Sequence, residues 1–184
     1  LIATDEMALF GIHNQANALA ALAAGELLGL DPQAMLQVLC EFPGLPHRMQ
    51  FVRRVSAVNY VNDSKATNVA AAIASIRSVD GMLVLIAGGD GKGGEFGDLA
   101  EAVEGKLRGA VLIGQDAGKI ARALDTVMPV HFAENMESAV HMAASCAESD
   151  DTVLLAPACA SLDQYDNYMA RGDAFIAAVE GLRR

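Results

Sequence analysis

The sequence has no tryptophan and few other aromatics, three tyrosines and six phenylalanines. Any core must therefore be aliphatic, and with 53% hydrophobic residues there is enough material for one. Cysteine is also scarce. Cys40, Cys146 and Cys159 stand far apart with no CxxC pair, which argues against a disulfide framework or a zinc knuckle. A reduced, cytoplasmic location fits that usage. Positive charge is under-represented: 13 Lys and Arg face 23 Asp and Glu, a formal net charge of −10. Nucleic-acid binding rests on Lys and Arg neutralising phosphates, so no nucleic-acid partner is expected. Long apolar runs are missing as well. The best candidate, Ala16 to Ala24, contains Asn17 and is soon followed by Glu26, well short of the roughly 18 residues that span a bilayer. No membrane insertion is expected. The chain begins at Leu1 without a basic n-region or a cleavage site, so it reads as a piece of a longer protein with no signal peptide.

What is present falls into two parts. Residues 1–44 read as helical after a short extended start. Asn14 to Leu28 is an Ala/Leu stretch broken by Gly29, and Asp31-Pro32 opens a second helix to about Glu41. Phe42-Pro43-Gly44-Leu45-Pro46 stops it and makes a natural hinge. These helices have no sheet of their own and are expected to belong to a domain whose remainder lies elsewhere. From His47 onward, short apolar strands alternate with helices. Strands are expected at Phe51 to Val55, Val58 to Val61, Met82 to Ala87, Ala110 to Ile113, Val130 to Phe132 and Thr152 to Ala156, with a tight turn near Ser56-Ala57. Helices are expected at Thr67 to Val79, Leu99 to Leu107, Ala117 to Leu124, Met136 to Cys146 and about Asp163 to Leu182. This alternation predicts an α/β fold, a mostly parallel sheet with helices on both faces and an antiparallel first pair of strands.

In such sheets ligands bind beyond the carboxyl ends of the strands. The loop Asn62-Asp63-Ser64-Lys65-Ala66-Thr67-Asn68 runs into a helix whose free N–H groups favour anions, and Lys65 and Thr67 add a cation and a hydroxyl. The bland alternative is that Asn62, Asp63 or Ser64 only caps that helix. The loop Gly88-Gly89-Asp90-Gly91-Lys92-Gly93-Gly94 suspends one lysine among five glycines, well suited to hold a carboxylate, although alone it reads equally as a flexible turn. The loop Pro157 to Asp163 carries Cys159 and Ser161. No histidine neighbours them in sequence, so a nucleophile is rejected and Ser161 is kept as a donor to an anion, with capping by Ser161 or Asp163 as the alternative. Arg48 follows the hinge and is either a phosphate fork or a solvated side chain. Asn14 and Asn17 open the Ala-rich helix, where Asn14 serves as a simple cap if it has no other role. These residues support a small-anion or nucleotide-binding domain hinged to something else. They do not name a reaction.

Five segments in order carry a resemblance: Gly11-Ile12-His13-Asn14-Gln15-Ala16-Asn17-Ala18, Gly44-Leu45-Pro46-His47-Arg48, Asn62 to Asn68, Gly88-Gly89-Asp90-Gly91-Lys92 and Pro157 to Tyr165. Together they resemble the Mur ligases, and among these the UDP-N-acetylmuramoyl-L-alanine–D-glutamate ligases. The resemblance implies a helical tail of a central ATPase domain over 1–44 and a C-terminal Rossmann-like domain over 45–184. It implies a reaction with ATP and Mg2+ that phosphorylates the carboxylate of UDP-N-acetylmuramoyl-L-alanine, after which the D-glutamate amine displaces phosphate. Such a step belongs to peptidoglycan synthesis, and so to cell shape and division. It places Lys92, Thr67, Ser161, Leu162 and Tyr168 around D-glutamate; Tyr168 stands where the family often has Phe. It places Asn14, Asn17, Arg48 and Asp63 near ATP and Lys65 near the reacting groups. The phosphate loop, the magnesium ligands and the UDP-binding domain of that family have no counterpart in these residues. Two other classes compete. An oxidoreductase nucleotide domain would need GxGxxG and an acidic residue after its second strand, both missing. A non-catalytic ligand-binding module remains open for the chain in isolation.

Overall fold

A computed structural model describes residues 2–3, 6–7, 12–124 and 128–183. Two helices come first, α1 (Ile12–Leu27) and α2 (Pro32–Glu41). The Asp31 carboxylate accepts the Ala34 N–H at 2.9 Å and Pro32 occupies the first helical position, the capping expected there. The extended start expected before α1 falls largely outside the described residues, as does Gly11. The pair buries little: Leu19, Leu27, Leu28, Leu30, Val38 and Phe42 all stay exposed.

The remainder is one six-stranded sheet with five helices among the described residues: β1 (Gln50–Val55), β2 (Val58–Asn62), α3 (Val69–Ser78), β3 (Leu83–Gly88), α4 (Gly97–Val103), β4 (Leu107–Ile113), α5 (Ala117–Leu124), β5 (Val130–Phe132), α6 (Met136–Cys146), β6 (Thr152–Leu155) and α7 (Tyr168–Gly181). The strand order is β1-β2-β6-β3-β4-β5. All neighbours are parallel except β1 and β2. Ser56 and Ala57 join that antiparallel pair with φ of 48° and 65°, the left-handed pair that a two-residue hairpin turn requires.

The continuous apolar run of β3 follows from burial on both faces. Leu83, Leu85 and Ala87 pack with Ile76 of α3, Leu99 of α4 and Ile120 of α5. Val84 and Ile86 point the other way, onto Val140 of α6 and Phe175 of α7. Thus α3, α4 and α5 cover one face, and α6 and α7 the other. The chain steps outward from β2 through β5, then α6 returns it on the opposite face to insert β6 between β2 and β3. That reversal opens a crevice at the carboxyl ends of β2, β6 and β3.

The boundaries that differ most from expectation lie at α4, β4, α3 and α7. α4 ends at Val103, and Gly105, at φ 68°, turns the chain into β4 at Leu107. The pair Arg108-Gly109 hides the first half of β4 from a reading of apolar runs. α3 starts at Val69, because Asn68 is the cap that accepts the Ala71 N–H at 2.9 Å. α7 starts at Tyr168 rather than Asp163, with Asn167 as its cap. The stretch 161–167 is a turn in which the Ser161 carbonyl accepts from the Gln164 and Tyr165 N–H groups.

Candidate functional site

The three loops at the crevice are stitched together by main-chain bonds. The Ala158 N–H donates to the Ala66 carbonyl at 3.0 Å and the Gly88 N–H to Pro157 at 2.8 Å, while Asp90 and Ala160 exchange both bonds. Such close approach needs glycine. Gly88 and Gly89 have φ of 123° and 127°, and a Cβ on either would run into the Ile113 or Ala160 carbonyl oxygen. A fourth loop braces them: the buried Asp116 accepts the Gly91 N–H at 2.8 Å and pairs with Lys119 at 2.7 Å. Those two contacts, with Lys119 the larger, hold its carboxyl below the usual range.

The polar run after β2 does more than cap a helix, since Asn68 has that role. Asn62 accepts the Ser64 N–H through its side-chain oxygen and reaches His47 Nδ1 and the Gly172 carbonyl through its amide. Asp63 accepts from the Met49 N–H and the Ser75 hydroxyl. Ser64 donates to the Tyr168 carbonyl at 2.7 Å. Asn62 and Ser64 are turned inward, Asp63 is bonded to the fold at the border of a cavity, and Lys65 and Thr67 remain for the outside.

The loop forms a wall between two cavities. One, of about 270 Å³, is lined by Asn14, Asn17, Arg48, Asp63 and Lys65 over a floor that includes Ala66, Ala71 and Ala74. The other, of about 480 Å³, is lined by Thr67, Asn68, Asp90, Lys92 and Phe96. The nucleotide group expected from the sequence thus faces one cavity together with Lys65. Two of the amino-acid group, Thr67 and Lys92, face the other. The remaining three are placed differently. Ser161 is buried and lines neither cavity. Leu162 is exposed beside a shallow hollow with Gln164 and Asp166. Tyr168 sits beneath Lys65, with Nζ 4.3 Å from the ring centroid, a cation–π distance. Lys92 itself has φ 52° and donates its N–H to Asp90 Oδ1 at 2.8 Å.

The donor set of the smaller cavity fits a nucleotide: Arg48 and Lys65 for phosphate, Asn14 and Asn17 amides for a base, small alanines beneath a ring. No group of three or more His, Cys, Asp or Glu among the described residues could hold a metal ion. Cys159 is fully buried. Burial, with Asp116 nearby, pushes its thiol up to about 12 while Arg171 opposes the rise, which agrees with rejecting it as a nucleophile.

Arg171 was not singled out from sequence. It is 1% exposed. Its Nε and one terminal nitrogen hold Ser64 Oγ and the Ser64 carbonyl at 3.0 and 2.9 Å; the other terminal nitrogen reaches the Cys159 and Gly88 carbonyls at 3.1 and 3.5 Å. Burial pulls the guanidinium down to about 10 against the opposing effect of Cys159, Asp163 and Tyr165, so it is charged at neutral pH. One signal was available. Arg171, Phe175 and Val179 share the buried face of α7 at i, i+4, i+8, and a cation on an apolar stripe needs a reason. His47 was overlooked as a structural partner: it is buried against Gly172 and stands edge-on to Tyr168 at 6.1 Å.

Residues 47–159 match the family model described as Mur ligase, glutamate ligase domain. A UDP-N-acetylmuramoylalanine–D-glutamate ligase of Methylococcus capsulatus is 53% identical over 182 residues, 99% of this chain and 40% of that protein. One from Pseudomonas syringae is 51% identical over 186 residues, 99% of this chain and 42% of that protein. The chain therefore spans about two fifths of the length of these curated relatives. Among solved structures, the Mycobacterium tuberculosis folylpolyglutamate synthase complexed with ADP shares the fold at TM-score 0.69 and 22% identity, over 95% of this chain and 41% of that one. With the family model covering well over half of it, this chain belongs to the Mur ligase family and carries that family's glutamate ligase domain.

Proposed function

We propose that the chain is the C-terminal part of an ATP-dependent ligase that joins D-glutamate to UDP-N-acetylmuramoyl-L-alanine in peptidoglycan precursor synthesis, acting in the cytoplasm, with cell shape and division depending on the product. The observation that carries this reading is the Asp63–Asn68 wall, with a cation-lined cavity on each side. An amino acid with two carboxylates needs cations and donors on a protein of net charge −10, and Lys92 and Thr67 supply them in the larger cavity. Arg48 and Lys65 receive phosphate oxygens in the smaller one, with Asn14, Asn17 and Asp63 holding the rest of the ATP. Ser161, Leu162 and Tyr168 are assigned to the amino-acid side by the resemblance, and none of them lines the larger cavity. The relatives' names and the ADP complex of the fold neighbour support this division.

Residues 1–44 are then the tail of the central ATP-binding domain and 45–184 the C-terminal domain. Support comes from the uncovered apolar side chains of α1 and α2, which an isolated surface rarely shows in such number. Magnesium ligands belong to the rest of the enzyme. Phosphoryl transfer from ATP converts the muramoyl-alanine carboxylate to an acyl phosphate, the D-glutamate amine attacks its carbonyl, and inorganic phosphate leaves. The contribution of this chain is positioning and charge stabilisation. Lys65, on the wall between amino acid and nucleotide, lies where charge develops on the transferred phosphate. Rotation about the 42–46 hinge would exclude water from the acyl phosphate.

The test is ADP release by the full-length enzyme. Release should require D-glutamate and UDP-N-acetylmuramoyl-L-alanine together. Equal release with another amino acid, or without the UDP-sugar, refutes the assignment.

A further inference from the structure

We propose that Arg171 is a positioning residue for the amino-acid side of the site, fixing the spacing between the loop that bears Lys65 and Thr67 and the loop that bears Lys92. The inference rests on the functional reading above and deepens it. A buried guanidinium is costly, and an apolar side chain of similar volume often serves stability as well or better. Here its retained charge meets no carboxylate at hydrogen-bond distance among the described residues. It is spent on one hydroxyl and three main-chain carbonyls.

The acceptors come from three separate elements. Ser64 lies in the loop after β2 and directly precedes Lys65. Gly88 ends β3 and begins the glycine loop of Lys92. Cys159 lies in the loop after β6, two residues before Ser161. Guanidinium is planar and rigid, so the two nitrogens on Ser64 set the direction of the third toward Gly88 and Cys159. Ser64 Oγ passes the constraint on, because it also donates to the Tyr168 carbonyl, and the Tyr168 ring carries Lys65. One side chain thus ties both lysine loops to the start of α7. A Lys at this position would keep the charge and lose the fork.

The experiment compares three variants of the full-length enzyme by steady-state kinetics and thermal melting. Arg171→Lys should raise the D-glutamate KM about tenfold or more, as an ångström-scale displacement of a binding group does, and change the ATP KM by no more than about threefold. Arg108→Ala breaks the pair with Asp151 at the opposite, amino-terminal end of the strands. It should lower the melting temperature and leave the D-glutamate KM unchanged, which separates positioning from general loosening. Should Arg171→Lys fail to fold, Ser64→Ala decides, with an expected D-glutamate KM increase of about threefold or more. A wild-type D-glutamate KM in folded Arg171→Lys, or in Ser64→Ala where that variant decides, overturns the inference alone. So does an equal rise in Arg108→Ala. A wild-type enzyme without D-glutamate-dependent ADP release overturns the inference and the functional reading together.

Discussion

Replacing Lys92 separates what its side chain does for binding from what its backbone costs the fold. Lys92 holds φ 52° between Gly91 and Gly93 and exposes its side chain. A left-handed conformation costs a non-glycine residue about 1–2 kcal/mol, and glycine loses roughly 0.4–1 kcal/mol more unfolded-state freedom on ordering. The balance makes Lys92→Gly more stable by about 0.5–1 kcal/mol, or roughly 1–4 °C in melting temperature for a chain this size. Lys92→Ala keeps the unfavourable φ and should lie within about 0.5 kcal/mol of the parent. The N–H bond to Asp90 survives in both. Binding should fall alike in the two. A charge-assisted bond to a carboxylate contributes about 1.5–3 kcal/mol, so the D-glutamate KM should rise roughly 10- to 150-fold. Melting curves of the 184-residue chain give the first comparison, and kinetics of the full-length enzyme the second. A glycine variant less stable than the alanine variant refutes the backbone argument. An unchanged D-glutamate KM in either refutes the assignment of Lys92.

Three further outcomes follow from the same geometry. Arg48→Ala should raise the ATP KM on the order of tenfold with little change for D-glutamate; a normal ATP response removes Arg48 from the nucleotide side. At pH 8, iodoacetamide should alkylate Cys40 and Cys146, both partly accessible, and spare Cys159, whose thiol burial pushes up to about 12. Because that thiol ionises first in the unfolded chain, near the ordinary value of 9.0, it should weaken the fold as pH rises through that value. Peptide masses after brief labelling check the first point, and rapid modification of Cys159 in the native protein contradicts it.

The alternation of β-type runs with helical segments is local, and it was legible in full outline. So were the Ser56-Ala57 hairpin, the Asp31-Pro32 helix start and the two lysine-bearing loops. The end of α4 was hidden by the Arg108-Gly109 pair, whereas the starts of α3 and α7 moved because polar residues that look like caps have other partners. Asp163 looks like a helix cap, yet its carboxylate accepts the Gln115 N–H at 2.8 Å from another loop, so Asn167 takes the capping position. Asn62, Asp63 and Ser64 likewise look like caps and are spent on distant partners.

By itself the sequence determined the fold class and which loops are polar, because periodicity and turn chemistry act over a few residues. Only the tertiary structure decided that β6 lies between β2 and β3, that Lys65 and Thr67 face separate cavities, and that Arg171 joins the loops. Those facts depend on bonds between residues far apart in the chain: Arg171 lies 107 positions from Ser64 and 83 from Gly88. A buried donor takes whichever acceptors the packed sheet brings to it, and no short window of residues records which those will be.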